Sequence, residues 1–96
     1  MAEIMEQVYF YGEEAGIREL IHTYTASGDL ELVRKEDGCI QFEFYCGANN
    51  SEKAVLLERW RDDAALDAHH STSMMENLLS LIKIHHLQIS AVKFEV

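Results

Sequence analysis

Residues 39–60 read CIQFEFYCGANNSEKAVLLERW, and this stretch decides the fold. From Cys39 to Cys46 polar and apolar residues alternate. Ile40, Phe42, Phe44 and Cys46 fall on one face, with Cys39, Gln41, Glu43 and Tyr45 on the other, the period of a half-buried strand. Gly47-Ala48-Asn49-Asn50-Ser51 is turn chemistry, because Gly and Asn tolerate the backbone angles a tight reversal needs. Strand character resumes from Lys53 to Trp60, with Ala54, Leu56, Glu58 and Trp60 on one face. The centre of the chain reads as strand, turn, strand.

On the N-terminal side, Ile17, Leu20, Ile21 and Tyr24 recur at i, i+3, i+4 and i+7 and predict a helix. Ser27-Gly28-Asp29 interrupts it. Leu30 and Val33 do not continue the stripe, so a second short piece capped by Ser27 or Asp29 is expected, ending near Asp37-Gly38. Before the helix, the aromatic and β-branched run Gln7 to Tyr11 reads as a strand stopped by Gly12. Beyond Trp60, a helical turn opens at Asp62 or Asp63 and holds Ala64, Ala65, Leu66 and Ala68. Ser73 followed by Glu76 is a capping-box pattern for a longer helix burying Met75, Leu78, Leu79 and Ile82. Ile89 to Val96 is a last strand. Strand–helix–strand therefore occurs twice. That order specifies an α+β, ferredoxin-like βαββαβ fold, a four-stranded antiparallel sheet with the helices on one face. The other face of the sheet is expected to carry Trp, Leu or Tyr in places as well as polar groups, and so to call for a partner.

Ninety-six residues without a proline or a low-complexity linker predict one domain, residues 1–96. Asp plus Glu outnumber Lys plus Arg by 17 to 8, a formal charge of −9, which repels phosphate backbones and anionic lipid; neither nucleic acid nor a membrane is an expected partner. The start MAEIMEQ lacks the basic and apolar regions of a signal peptide, and no apolar run approaches the ~18 residues of a membrane span. Cys39 and Cys46, seven apart on one strand, point to opposite faces and read as reduced structural thiols. A cytoplasmic protein is expected. A core this small also favours oligomerisation.

The densest cluster of possible chemistry runs from Glu58 to His70: Glu58-Arg59-Trp60-Arg61-Asp62-Asp63-Ala64-Ala65-Leu66-Asp67-Ala68-His69-His70. Here the chain resembles the antibiotic biosynthesis monooxygenase family, the small dimeric α/β-barrel proteins that include quinol monooxygenases. The resemblance rests on Glu58-x-Trp60, the acidic turn, Ala65-Leu66, His69 nine residues after the Trp, Thr72 beyond it, and Gly38-Cys39 leading into Ile40-Gln41-Phe42-Glu43. It covers about residues 30 to 96; the first 30 match in order of elements. It implies a homodimer whose two sheets form a barrel, with a pocket between sheet and helices. It also implies oxygenation of a dihydroxyaromatic by O2 without metal, flavin or haem. A deprotonated quinol is electron-rich enough to pass an electron to O2, and a dry pocket protects the reactive pair. His69 is the matching base; Trp60, Glu58 and Met74 would line the substrate. Met74 stands where many members carry a second His, and a thioether cannot act as a base. The haem-degrading relatives need an Asn on the first strand, a Trp where His69 stands and a His near Leu79, none of which is present.

Each of these residues also has a structural reading. His69, at the end of a helical turn, can bond free carbonyls. Trp60 can be core or dimer packing. Glu58 can pair with Arg59 or Arg61. Metal binding is not expected, because the adjacent pairs His69-His70 and His85-His86 diverge by ~100° on a helix and cannot share an ion. Two rival functions remain: an isomerase of a small keto or phosphorylated metabolite, and a non-catalytic dimer that binds an apolar ligand.

Overall fold

The computed structural model describes residues 2–96. Its elements are β1 (Ile4–Tyr11), α1 (Glu14–Ala26), α2 (Asp29–Arg34), β2 (Cys39–Cys46), β3 (Lys53–Trp60), α3 (Asp63–His70), α4 (Ser73–Ile84) and β4 (Gln88–Glu95). The strands form one antiparallel sheet in the order β2-β3-β1-β4, the ferredoxin-like arrangement. Ile4, Phe10, Phe42, Ala54, Leu56 and Trp60 line the face toward the helices, and Ile17, Leu20, Tyr24, Leu66 and Leu78 meet them from the helical layer. Removing such side chains from water stabilises the fold by roughly 1.5–3 kcal/mol each.

The helical punctuation follows its residues. Gly28 takes a left-handed φ of 90° between α1 and α2, and α2 buries Leu30 and Val33. Asp62 caps α3 by accepting the Ala65 N–H at 2.9 Å. The cap of α4 is Thr72 rather than Ser73, its hydroxyl accepting the Met75 N–H at 3.2 Å. The buried side of α4 also differs from expectation. Leu79 is exposed, while Met74, Leu81 and Ile82 join Leu78 against the core. That helix is rolled toward α1, whose Tyr24 hydroxyl donates to the Met74 carbonyl at 3.0 Å.

The strands depart from the expected pattern in two places that matter for the site. β1 starts at Ile4 and so includes Glu6, a polar residue on the helix-facing side, opposite Glu58 in register. β2 has an irregularity between Cys39 and Gln41: Cys39 pairs with Trp60 and Gln41 with Arg59, leaving Ile40 unmatched. A bulge of this kind shifts the alternation by one. Cys39 therefore takes the core-facing place expected for Ile40, which is 51% exposed. Both cysteines now share a face, but six pairing positions separate them by roughly 20 Å, and both are free thiols.

The lead-in to β2 fixes a close approach. Gly38 has φ 86°, and a Cβ there would lie 2.6 Å from the Ala65 Cβ of α3. The Arg61 N–H donates to the Gly38 carbonyl at 2.8 Å, and the Arg61 guanidinium grips both oxygens of Asp37 at 3.0 and 3.2 Å. Glu36 is thereby held over α3.

Candidate functional site around His69

His69 is fully buried at the C-terminal turn of α3. Its ring stacks on Trp60 with centroids 4.8 Å apart and meets Phe42 at 5.5 Å, edge to face. Nδ1 lies 2.8 Å from the Glu36 carboxylate. A carboxylate can only accept, so Nδ1 carries a proton, and in the neutral ring Nε2 presents its lone pair. Among the described residues Nε2 has no hydrogen-bond partner; the Glu58 Oε1 is 3.9 Å away. The structural alternative of an imidazole bonded to helix-end carbonyls is not what forms. The ring is oriented by a carboxylate, the relation that holds a general base in one tautomer.

Glu58 is 3% exposed and accepts the Trp60 indole N–H at 3.0 Å. The i, i+2 spacing of Glu58 and Trp60 on β3 puts both on the helix-facing side. Burial pushes the Glu58 carboxyl up to about 8; the Trp60 hydrogen bond opposes the rise, and the charges of Glu6 and Glu36 add to it. Neither arginine neighbour pairs with it, because Arg59 binds Glu3 at 2.7 Å and Arg61 binds Asp37. Trp60 is completely buried within the chain.

Three of the four residues expected at a site, His69, Trp60 and Glu58, are brought together. Met74 is one step removed: its side chain packs on the core, and its carbonyl takes the Tyr24 hydroxyl. Glu36 and Phe42 complete the cluster and were not anticipated. Glu36 belongs to a polar turn, Lys35-Glu36-Asp37-Gly38, that reads as a solvated helix end; its one signal is the glycine that forces the turn against α3.

The adjacent histidines diverge as their spacing requires. His70 is exposed and faces Glu6, its Nε2 3.7 Å from the carboxylate. Among the described residues no group of His, Cys, Asp and Glu is arranged to hold a metal ion.

The cleft between sheet and helices lies beyond this cluster. Phe10, Ile17, Leu20, Phe44, Ala54 and Leu87 are among its walls, and it is too narrow to hold a water molecule. A second, open groove of about 490 Å³ runs beside Ile40 and Phe42 at the edge of β2. Phe44 lines the cleft and Phe42 the groove, with their rings 6.4 Å apart, and Phe42 meets the imidazole.

Residues 12–79 match the profile of the antibiotic biosynthesis monooxygenase family. The chain belongs to that family. Among solved structures, a Bacteroides thetaiotaomicron protein of unknown function, described as a candidate oxidoreductase, superposes with a TM-score of 0.87 at 20% identity, covering 99% of this chain and 98% of that one. A candidate antibiotic biosynthesis monooxygenase from Deinococcus radiodurans gives 0.85 at 13% identity, covering 97% and 91%. At such identities these two establish the fold. An uncharacterised Synechocystis protein is 40% identical over 43 residues, 45% of this chain and 29% of that longer protein. No described helix of this family member is long and apolar enough to cross a membrane.

Proposed function

We propose that the protein is a monooxygenase that oxidises a small dihydroxyaromatic with O2, acting as a single-domain homodimer in the cytoplasm. The observation that carries this reading is the buried Nε2 of His69, unpartnered while Glu36 holds Nδ1. Leaving a buried acceptor unsatisfied costs roughly 1–3 kcal/mol, and such an atom calls for a role. An imidazole in this tautomer takes a proton at Nε2, and the imidazolium that forms is stabilised by the Glu36 carboxylate and by the face of Trp60.

In this reaction His69 removes a hydroxyl proton from the quinol. The quinolate reduces O2, one oxygen atom enters the ring and the other leaves as water, giving a hydroxyquinone; the substrate supplies all the electrons. The apolar surroundings keep bulk water from the reactive pair. Admission of the substrate requires Phe42 and Phe44 to part and the interlayer cleft to widen. Trp60 and Glu58 line the space so opened, with Met74 at its margin.

The dimer is supported by the outer face of the sheet, where Tyr11, Tyr45, Val92 and Phe94 are exposed. Sedimentation should give a dimer for the wild type and a monomer for Phe94→Asp. The decisive assay is oxygen uptake with a panel of quinols. Uptake that disappears in His69→Ala supports the oxygenase, and no uptake with any quinol overturns it. The closed packing around His69 favours one rival, a non-catalytic dimer in which the cluster is structural, which would consume no oxygen with any quinol. An isomerase of phosphorylated metabolites is less well served, since Arg59 and Arg61 are both committed to carboxylates.

A further inference from the structure

A proton taken up by His69 would be trapped in a closed core, and the neighbouring carboxyls offer it a way out. Glu6 of β1 and Glu58 of β3 are direct cross-strand partners on the helix-facing side, which places their Cβ atoms about 4.5–5.5 Å apart. Like charges directly opposite each other destabilise a sheet, and here one of the pair is almost wholly buried. Such a pair is tolerated when one of the two carboxyls is neutral. Glu58 reaches inward, its Oε1 3.9 Å from His69 Nε2. Glu6 reaches outward, its Oε1 3.7 Å from Nε2 of His70, whose side chain is 43% exposed.

We propose that Glu58 and Glu6 form a proton path that links His69 to solvent at His70. This rests on the oxygenase reading. Glu58, protonated in the fold, passes its proton to Glu6; the Glu58 carboxylate so formed takes the proton bound at His69 Nε2, and Glu6 releases one to His70 or water. Each transfer breaks one bond to hydrogen and makes another, no electrons move, and the chain ends as it began. An approach of about 1 Å converts each of the two outer gaps, His69–Glu58 and Glu6–His70, into a hydrogen bond, and the middle transfer runs between the cross-strand carboxyls.

The groups that face Glu58 are consistent with this direction. Glu6 approaches from β1, Glu36 from the turn after α2, and His69 from α3; Cys39 of β2 and the Tyr24 hydroxyl of α1 also feel its charge. Lys93 of β4 stands opposite Glu6 in register, and its ammonium is held by Asp63 at 3.1 Å. Burial raises Glu58 to about 8 with no cation among the causes, a value suited to exchange near neutral pH.

The test compares wild type, Glu6→Gln and His70→Asn. Glu6→Gln should lower kcat about ten-fold with KM unchanged, and rising concentrations of imidazole buffer should restore it. His70→Asn should show a smaller loss with the same rescue. Variants that turn over at the wild-type rate, without dependence on buffer, overturn the path while the oxygenase stands. A wild type that consumes no oxygen overturns the oxygenase reading instead. The coupling is then read by ¹⁵N NMR of the His69 ring, whose titration should carry a second inflection that Glu58→Gln removes. A titration identical in both proteins overturns the path independently of activity.

Discussion

Replacing Glu58 by Gln should stabilise the protein at alkaline pH, although it alters a residue at the centre of the site. The amide oxygen can still accept the Trp60 indole N–H, so packing and that hydrogen bond survive; what disappears is a buried group that titrates. Burial, the largest influence, raises its pKa from 4.5 to about 8 in the folded chain. Between those values the folded state holds a proton that the unfolded state has released. Stability then falls as pH rises, because the slope of the unfolding free energy follows the protons bound by the unfolded state minus those bound by the folded state, here negative. At ~1.4 kcal/mol per pH unit the penalty reaches roughly 3–5 kcal/mol by pH 8 and is constant above it. With Glu58 3% exposed, little of this is screened by solvent. Urea unfolding of wild type and Glu58→Gln at half-unit steps from pH 5 to 9 isolates the contribution as a difference curve, since other groups titrate in both proteins. The variant should gain on the wild type steadily up to about pH 8 and then hold its lead. Parallel stability profiles would refute the reasoning, for they would mean that the carboxyl is ionised in the fold at no cost.

Glu36→Gln keeps an acceptor for the His69 Nδ1–H but removes the charge that stabilises the imidazolium; stability should fall by about 1–2 kcal/mol, and in the oxygen-uptake assay kcat should fall more than KM changes. Gly38→Ala must place a Cβ at positive φ against Ala65; a loss of roughly 1–3 kcal/mol in urea unfolding is expected, and uptake should drop with it because the same turn carries Glu36. Burial, with Glu36 and Glu58 adding, pushes the Cys39 thiol up to about 11, while Cys46 is exposed. Mass-resolved labelling with iodoacetamide at pH 8 should modify exposed Cys46 first, and Cys39 should react about a hundred-fold more slowly than an unperturbed cysteine thiol from its thiolate fraction alone.

How far the sequence could be read depended on whether a residue's role is set by its near neighbours. The strand, turn and strand of residues 39–60 were legible because their signals are local: alternation, a Gly/Asn turn, alternation again. The break at Gly28 and the cap at Asp62 were legible for the same reason. Ile40 was assigned to the wrong face because a bulge is a mismatch between two strands, and nothing within CIQF marks the extra residue. Leu79 and Leu81 exchanged places because which edge of α4 packs depends on Tyr24, fifty residues earlier. The site divided in the same manner. Glu58 and Trp60 share a strand face and His69 follows at a spacing the family pattern supplies, so they could be found together. Glu36 could not, because its meeting with His69 is made by Gly38 packing on Ala65, a contact between segments distant in the chain. Glu6 escaped because a glutamate at the start of a strand reads as solvent-facing until its partner across the sheet is known.

That last point bears on why this core is built as it is. A chain of 96 residues has few buried positions, and apolar residues at 6, 58 and 69 would serve stability better, as replacements of buried polar sets by packed hydrophobes generally do. Instead two facing glutamates and an unpartnered imidazole nitrogen occupy the space between sheet and helices, with a third carboxylate at Glu36 locked in place by Gly38. Packing alone would not retain this combination, since the carboxylates make one another costlier to bury. Proton chemistry would, because a base held in one tautomer is useful only if the proton it takes can leave. If Glu58→Gln both stabilises the fold at pH 8 and slows turnover, one substitution will have separated the two demands, showing that the stability given up at this position serves the reaction. If it stabilises the fold and leaves turnover untouched, the carboxyl is a cost without a catalytic return, and the assignment of this cluster as the working site fails with it.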